Sequence, residues 1–149
     1  MKRREFMLIA ATAILSSRSA SASQAKLTVH KDPYCGCCAA WASAFEDAGF
    51  LVELRDENDM AALKAKLKVP SELLGCHTAT VGGYYLEGHV PLGAALRLLR
   101  ERPPIAGLAV AGMPKGSLGM GTDPAASYDV MAVPRTQAAP SLYEAVRPR

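Results

Sequence analysis

Four cysteines are spread unevenly along the 149 residues. Cys35, Cys37 and Cys38 fall within four positions of "YCGCCAAW", Tyr34 to Trp41, and Cys76 stands apart in "LLGCHTA". Thiols so placed can exchange as disulfides, close as structural bridges, or bind a soft cation. Geometry disfavours one pairing. Neighbouring Cα atoms lie about 3.8 Å apart, below the roughly 4.4–6.8 Å that disulfides span, so a Cys37–Cys38 bond would be strained. Cys35 and Cys38 have the separation of redox-active motifs. Any such pair leaves one thiol of the triplet over for Cys76, a metal or a partner molecule. Several thiolates in one pocket repel each other, and protons, a disulfide or a cation must relieve that repulsion. Thiolate-rich sites suit Cu(I), with Zn(II) as the alternative, and closely spaced sulfurs can bridge more than one Cu(I).

Other side chains are candidates on weaker grounds. His77, beside Cys76, reads as a ligand, a general base for a thiol, or a polar loop residue. His89 in "EGHVP" precedes a helix, where capping or facing solvent competes with ligation. Met113 and Met120 lie in Gly-rich sequence rather than on a helical stripe, and a thioether is a soft ligand as well as a routine core filler. Trp41 reads as packing beneath the cluster. No phosphate-cradling loop and no serine triad is evident.

The N-terminus sets the redox compartment. "MKRREFMLIAATAILSSRSASASQA" places Lys2, Arg3 and Arg4 before an apolar run, Phe6 to Leu15, and small residues follow. That is the layout of a secretory signal peptide over residues 1–22, with cleavage near Ala22 or Ala25. The run is too short to span the roughly 30 Å of a bilayer's hydrocarbon, so no stable membrane insertion is expected after cleavage. The adjacent arginines leave both the general secretory and the twin-arginine routes open, and both lead to the periplasm or beyond. Of the 17 Lys+Arg and 14 Asp+Glu, removal of the signal leaves 13 of each. The basic balance therefore belongs to the targeting segment and gives no support for nucleic-acid binding. A mature chain of roughly 127 residues is one domain, large enough for its own core.

The elements that must position the thiols follow from periodicity. "KLTVH", Lys26 to His30, reads as a strand. Trp41, Ala44, Phe45 and Ala48 mark a helix from Cys35 or Cys37, ended by Gly49. "FLVELR" is the next strand, and Asn58 or Asp59 opens a second helix. "HTATVGGYYLEGHV" is a hairpin about Gly82-Gly83. "PLGAALRLLRERPP" is a third helix between Pro91 and Pro103. The order β-α-β-α-β-β-α predicts an α/β, thioredoxin-like fold over residues 26–133, with the triplet at the start of the first helix. There a helix N-terminus favours thiolate over thiol, and the loop before the third strand would carry Cys76 to the triplet. From Ile105 the Gly, Met and Pro content predicts a long ordered loop as a C-terminal extension, with "SYDVMAV" as an extra strand. Residues 134–149 read as a flexible tail with one helical turn.

The blocks "CGCCAAW…AGF", "VPSELLGCHTATVGGYYLEGHVP", "RPPIAGLAVAGMPKGSLGM" and "YDVMAV" resemble the exported copper-resistance proteins of the CopG type. The resemblance runs from about Val29 to Val133. It implies a thioredoxin-like domain whose cysteines hold a copper cluster in the periplasm, with Cu(I)/Cu(II) redox handling. The family's cysteines carry over to Cys35, Cys37, Cys38 and Cys76, and its other motif positions to His77, His89, Met113 and Met120. Two positions depart from the family pattern: Ala44 replaces a common histidine, and Leu118 a usual proline. The expected activity is copper homeostasis through a four-cysteine Cu(I) site, with copper transporters, chaperones or redox proteins as partners. Two rivals are a metal-free thiol–disulfide oxidoreductase and a structural, disulfide-locked binding module.

Overall fold

Leu27 and Val29 are fully buried while Lys26, Thr28 and His30 are less so, and this alternation makes β1 (Lys26–Lys31) a strand with one face in the core. The computed structural model describes residues 25–148; the signal peptide expected over residues 1–22 lies outside them. After β1 come α1 (Gly36–Asp47), β2 (Leu51–Asp56), α2 (Met60–Lys66), β3 (His77–Val81), β4 (Tyr84–Glu87), α3 (Leu92–Glu101), β5 (Ile105–Ala109), β6 (Tyr128–Pro134) and β7 (Ser141–Val146). A short 3-10 turn, Ser71–Leu73, precedes the loop to β3. The expected order β-α-β-α-β-β-α is present in residues 26–101. Among the described residues no helix is long and apolar enough to cross a membrane.

All seven strands form one mixed sheet in the order β2-β1-β3-β4-β5-β6-β7. β1 runs parallel to β2 and antiparallel to β3, which turns back as β4 through Gly82 and Gly83 at φ 56° and 86°. Positive φ at both turn residues matches the right-handed twist of a two-residue hairpin. Trp41, Ala42 and Phe45 of α1 and Ala94, Ala95 and Leu98 of α3 share one apolar cluster with Leu27, Val29, Ala79 and Leu86. Leu67 and Val69, at the end of α2 and beyond it, pack on a smaller cluster around Leu73, Tyr85 and Ala109. Tyr84 and Leu86 serve the first cluster and Tyr85 the second, as the two-residue period of a strand requires. Asp59 caps α2, its side chain accepting the Ala62 N–H at 2.9 Å.

Two segments differ from the sequence expectation. Ile105–Ala109 is a strand, not the start of a loop, and it pairs parallel to β4 through the α3 crossover. Its high small-residue content has a packing reason: a Cβ on Gly107 would meet the Tyr85 carbonyl oxygen at 2.2 Å and its ring at 2.7 Å. In the segment 134–149 expected to be a flexible tail with a helical turn, the described residues, up to 148, instead carry a strand. β7 closes the sheet edge against β6, and the Arg97 guanidinium stacks 4.0 Å over the Tyr143 ring while donating to the Tyr143 carbonyl. The sheet therefore extends past Val133, where the sequence places the end of the folded domain. Between β5 and β6 the Gly/Met-rich loop is ordered, as expected, and folds over the start of α1.

Gly107→Ala should destabilise the fold by about 1–3 kcal/mol through overpacking, read as a lower urea midpoint with an unchanged denaturant slope.

Candidate metal centre

Cys35 is the N-cap of α1, and Cys37 and Cys38 occupy its first turn. Cys76 arrives on the loop into β3, whose pairing Lys31↔His77 sets it beside the end of β1. The four sulfurs lie within 4.8 Å of one another. Cys35 and Cys38 form a disulfide with a Cα–Cα distance of 5.4 Å, and Cys37 and Cys76 are free thiols. Each free thiol stands 3.5 Å from one sulfur of the bridge, Cys37 from Cys35 and Cys76 from Cys38. The two free sulfurs are 3.8 Å apart. In this state the centre holds two thiols, and reduction of the bridge makes four.

The Gly/Met-rich loop supplies a fifth sulfur. Met113 Sδ lies 3.9 Å from Cys37 Sγ. The loop reaches the helix closely at Gly119, where a Cβ would meet the Cys37 carbonyl oxygen at 2.8 Å. Met120, next to Gly119, is exposed at the surface of the same loop. Ala44 sits seven residues beyond Cys37 on α1, about 10 Å along the axis. The departure at that position leaves the sulfur set intact.

Both histidines are fully buried against Cys76. His89, a candidate ligand for which helix capping or solvent exposure is the competing reading, is turned inward and presents Nε2 to Cys76 Sγ at 2.9 Å. Its Nδ1 is 3.2 Å from Ser117 Oγ, whose hydroxyl proton goes to the Pro114 carbonyl at 2.6 Å. Ser117 must then accept, so His89 Nδ1 carries the ring proton and bare Nε2 accepts from the Cys76 thiol. His77 Nδ1 is 3.3 Å from the same sulfur, and His77 Nε2 has no partner. Placing the proton on Nδ1 lets His77 donate to Cys76 and leaves only a lone pair unpaired. Trp41 locks this layer, its ring packed against His77 at a 50° tilt with centroids 4.4 Å apart and its Nε1–H donated to the Val90 carbonyl at 2.9 Å.

Burial sets the protonation of the pocket. It pushes the Cys76 thiol up to about 12, with the nearby Cys37 adding to the effect, and Lys64 pulls weakly the other way. The preference for thiolate expected at the helix start does not reach Cys76, which is carried by a loop outside α1. Burial also lowers His77 from 6.5 to about 3, helped by His89 and Lys64, and lowers His89. Neutral imidazoles, each with a single ring proton, beside a protonated thiol form a neutral set, which a half-buried pocket tolerates.

Three residues near the centre escape sequence reading. Ser117 fixes the His89 tautomer. Lys64 and Glu87 form a buried ion pair next to the Cys76 loop. Only the alternation of "YYLEG", which puts Glu87 on a strand face shared with Tyr85, signals that this carboxylate points inward.

A family model described as "Protein of unknown function, DUF411" matches residues 73–120, the stretch holding Cys76, both buried histidines and the Met113 loop. Two solved structures are similar over most of their length. One, described as "Copper resistance protein copG- Form 1", shares 39% identity at a TM-score of 0.76, covering 82% of this chain and 97% of its own. The other, "Copper resistance protein copG- Form 2", shares 38% at 0.75, covering 83% and 98%. No curated protein matches the chain.

A histidine held below its unfolded value binds a proton in the unfolded chain that the folded one refuses. Its neutral form therefore favours folding fully above pH 6.5, and that share is lost as pH falls towards 3, at up to about 1.4 kcal/mol per pH unit. His77→Phe, which keeps a ring against Trp41, should flatten the fall in urea midpoint between pH 6.5 and 4. A profile parallel to that of the parent protein would show that His77 is not the group responsible.

Proposed function

Because the chain belongs to the family of the CopG copper resistance proteins, we propose that it is an exported copper-binding protein holding Cu(I) on Cys35, Cys37, Cys38 and Cys76. The observation that carries this reading is the convergence of four cysteine sulfurs within 4.8 Å. Sulfur donors at this density match the softness of Cu(I), and shared thiolates allow more than one ion. Met113 adds a thioether at the open side, and His89 and His77 adjoin Cys76. Zn(II) is the competing ion for the same thiols. The N-terminal signal pattern supports a periplasmic setting, and the β2-β1-β3-β4 arrangement with α1 leading off β1 supports a thioredoxin-like core.

Binding requires the bridge to open. Two electrons and two protons convert the Cys35–Cys38 disulfide to thiols, and each thiol loses its proton when it takes a cation. Cys76 already has His89 Nε2 hydrogen-bonded to its sulfur. The reverse change offers copper redox chemistry: oxidation of the Cys35 and Cys38 thiols to the disulfide releases two electrons, reduces two Cu(II) to Cu(I), and frees two protons. Partners would then be copper carriers, exporters or thiol reductants outside the cytoplasm.

A second reading is a metal-free thiol–disulfide oxidoreductase. The disulfide across the helix start, with a free thiol 3.5 Å from each of its sulfurs, favours it. Anaerobic Cu(I) titration against a chromogenic chelator separates the two. Fully reduced protein should bind Cu(I) tightly, and Cys76→Ser should lower the affinity at least about tenfold, the equivalent of roughly 1.4 kcal/mol. The disulfide form should hold fewer ions. Equal binding by the parent and Cys76→Ser proteins would remove the four-sulfur site. Catalysed reduction of a protein disulfide by the metal-free protein would support the second reading.

A further inference from the structure

Lys64 and Glu87 are charged residues in a place that burial penalises. Glu87, on β4, is fully buried, and Lys64, on α2, is 8% exposed. Their ion pair is joined by Thr78, whose hydroxyl donates to Glu87 Oε2 at 2.5 Å, and Lys64 Nζ donates to Thr78 Oγ1 at 3.0 Å. An ion pair so buried gives little net stability, because desolvation offsets its attraction, and apolar replacements of similar volume are often as stable. What this pair holds is therefore more informative than its energy.

Both polar groups of one backbone residue are in its grip. Glu87 Oε1 accepts the Gly75 N–H at 2.8 Å, and Lys64 Nζ donates to the Gly75 carbonyl at 3.2 Å. That carbonyl belongs to the peptide unit that begins Cys76. Gly75 is pressed so close to the β4–α3 loop that a Cβ would meet Gly88 Cα at 2.3 Å. On its other side Gly75 bridges Gly112, and the Gly112 N–H donates to the Leu74 carbonyl at 2.9 Å. Met113 follows directly. The charges thus fix the peptide units on both sides of Gly75: Lys64 holds the one that leads into Cys76, and Glu87 holds the one whose Leu74 carbonyl accepts from Gly112 and so sets where the thioether loop begins.

We propose that Lys64 and Glu87 are positioning residues that hold Cys76 in register with the Cys35–Cys38 turn. The pair touches no sulfur. It acts through the Gly75 peptide, and without it the loop can rotate Cys76 away from the other three cysteines. The inference deepens the four-sulfur copper reading and rests on it for its functional meaning, while its geometric content stands without copper.

Two readouts on the reduced full chain test it. The variant Lys64→Met/Glu87→Leu removes the charges together, leaving neither partner an orphan, and circular dichroism and thermal melting check its fold. In metal-free protein, cross-linking of Cys37 to Cys76 by dibromobimane, mapped by peptide mass spectrometry, should fall at least threefold. Cu(I) affinity should fall at least tenfold. In a Cys76→Ser background the same double substitution should change Cu(I) affinity less than twofold, since the sulfur it positions is gone. A merely structural role would lower affinity equally in both backgrounds. Unchanged cross-linking in a folded variant, or an equal loss in both backgrounds, overturns the proposal. If the double variant does not fold, Glu87→Gln is read by the same two criteria. Failure of the parent protein to bind Cu(I) would sink the copper reading alone, and the cross-linking result would still decide the clamp.

Discussion

Four sulfurs within 4.8 Å, half-withdrawn from water, cannot all be negatively charged at once. The structure meets that constraint by joining Cys35 to Cys38 and by keeping a proton on Cys76, whose thiol burial holds near 12. A soft cation is the third solution, and it differs from the first two in keeping all four sulfurs as donors. The centre can then be understood as one cluster with interchangeable ways of neutralising itself. Under the proposed copper reading, electrons, protons and metal would be traded against each other at the same atoms, and that is the physical link the proposal draws between copper binding and redox chemistry.

The fold brings the pieces together from four separate stretches of chain. The helix start holds three cysteines on a rigid turn, with Trp41 one turn further along. The loop into β3 brings Cys76, His77 opens that strand, and the chain beyond β4 brings back His89. The Gly/Met-rich loop closes over the helix at Gly119 and delivers Met113 and Ser117. Outside the Gly/Met-rich loop, the stretches enter from a strand end or a helix end, where backbone direction is well determined. Rigidity is imported from the sheet.

Much of this was legible in the sequence because it depends on local pattern. The three-residue spacing of Cys35 and Cys38, the helical step through Trp41 and Phe45, and the Gly82-Gly83 turn each follow from neighbours in the chain. The same holds for the first seven elements. β5 was hidden because Gly107 and its small neighbours read as loop, although the packing of Tyr85 is what makes glycine necessary there. β7 was hidden because "SLYEAV" has no clean alternation: it lies at a sheet edge and is held by Arg97 and by pairing to β6. The inward turn of His89 and the burial of Lys64 depend on contacts between distant segments and leave no periodic signal, whereas the strand alternation through Tyr85 was the one hint that Glu87 turns inward.

Trp41 is the chain's single tryptophan. Its indole lies against His77, one residue from Cys76 and within the same turn-to-turn contact as Cys37. Light absorbed at the long-wavelength edge of the protein spectrum is therefore collected at one place, directly beneath the sulfur pocket. Emission from that ring carries no contribution from a second indole, so opening of the Cys35–Cys38 bridge, or an ion taken up beside it, would act on one reporter in the unlabelled molecule.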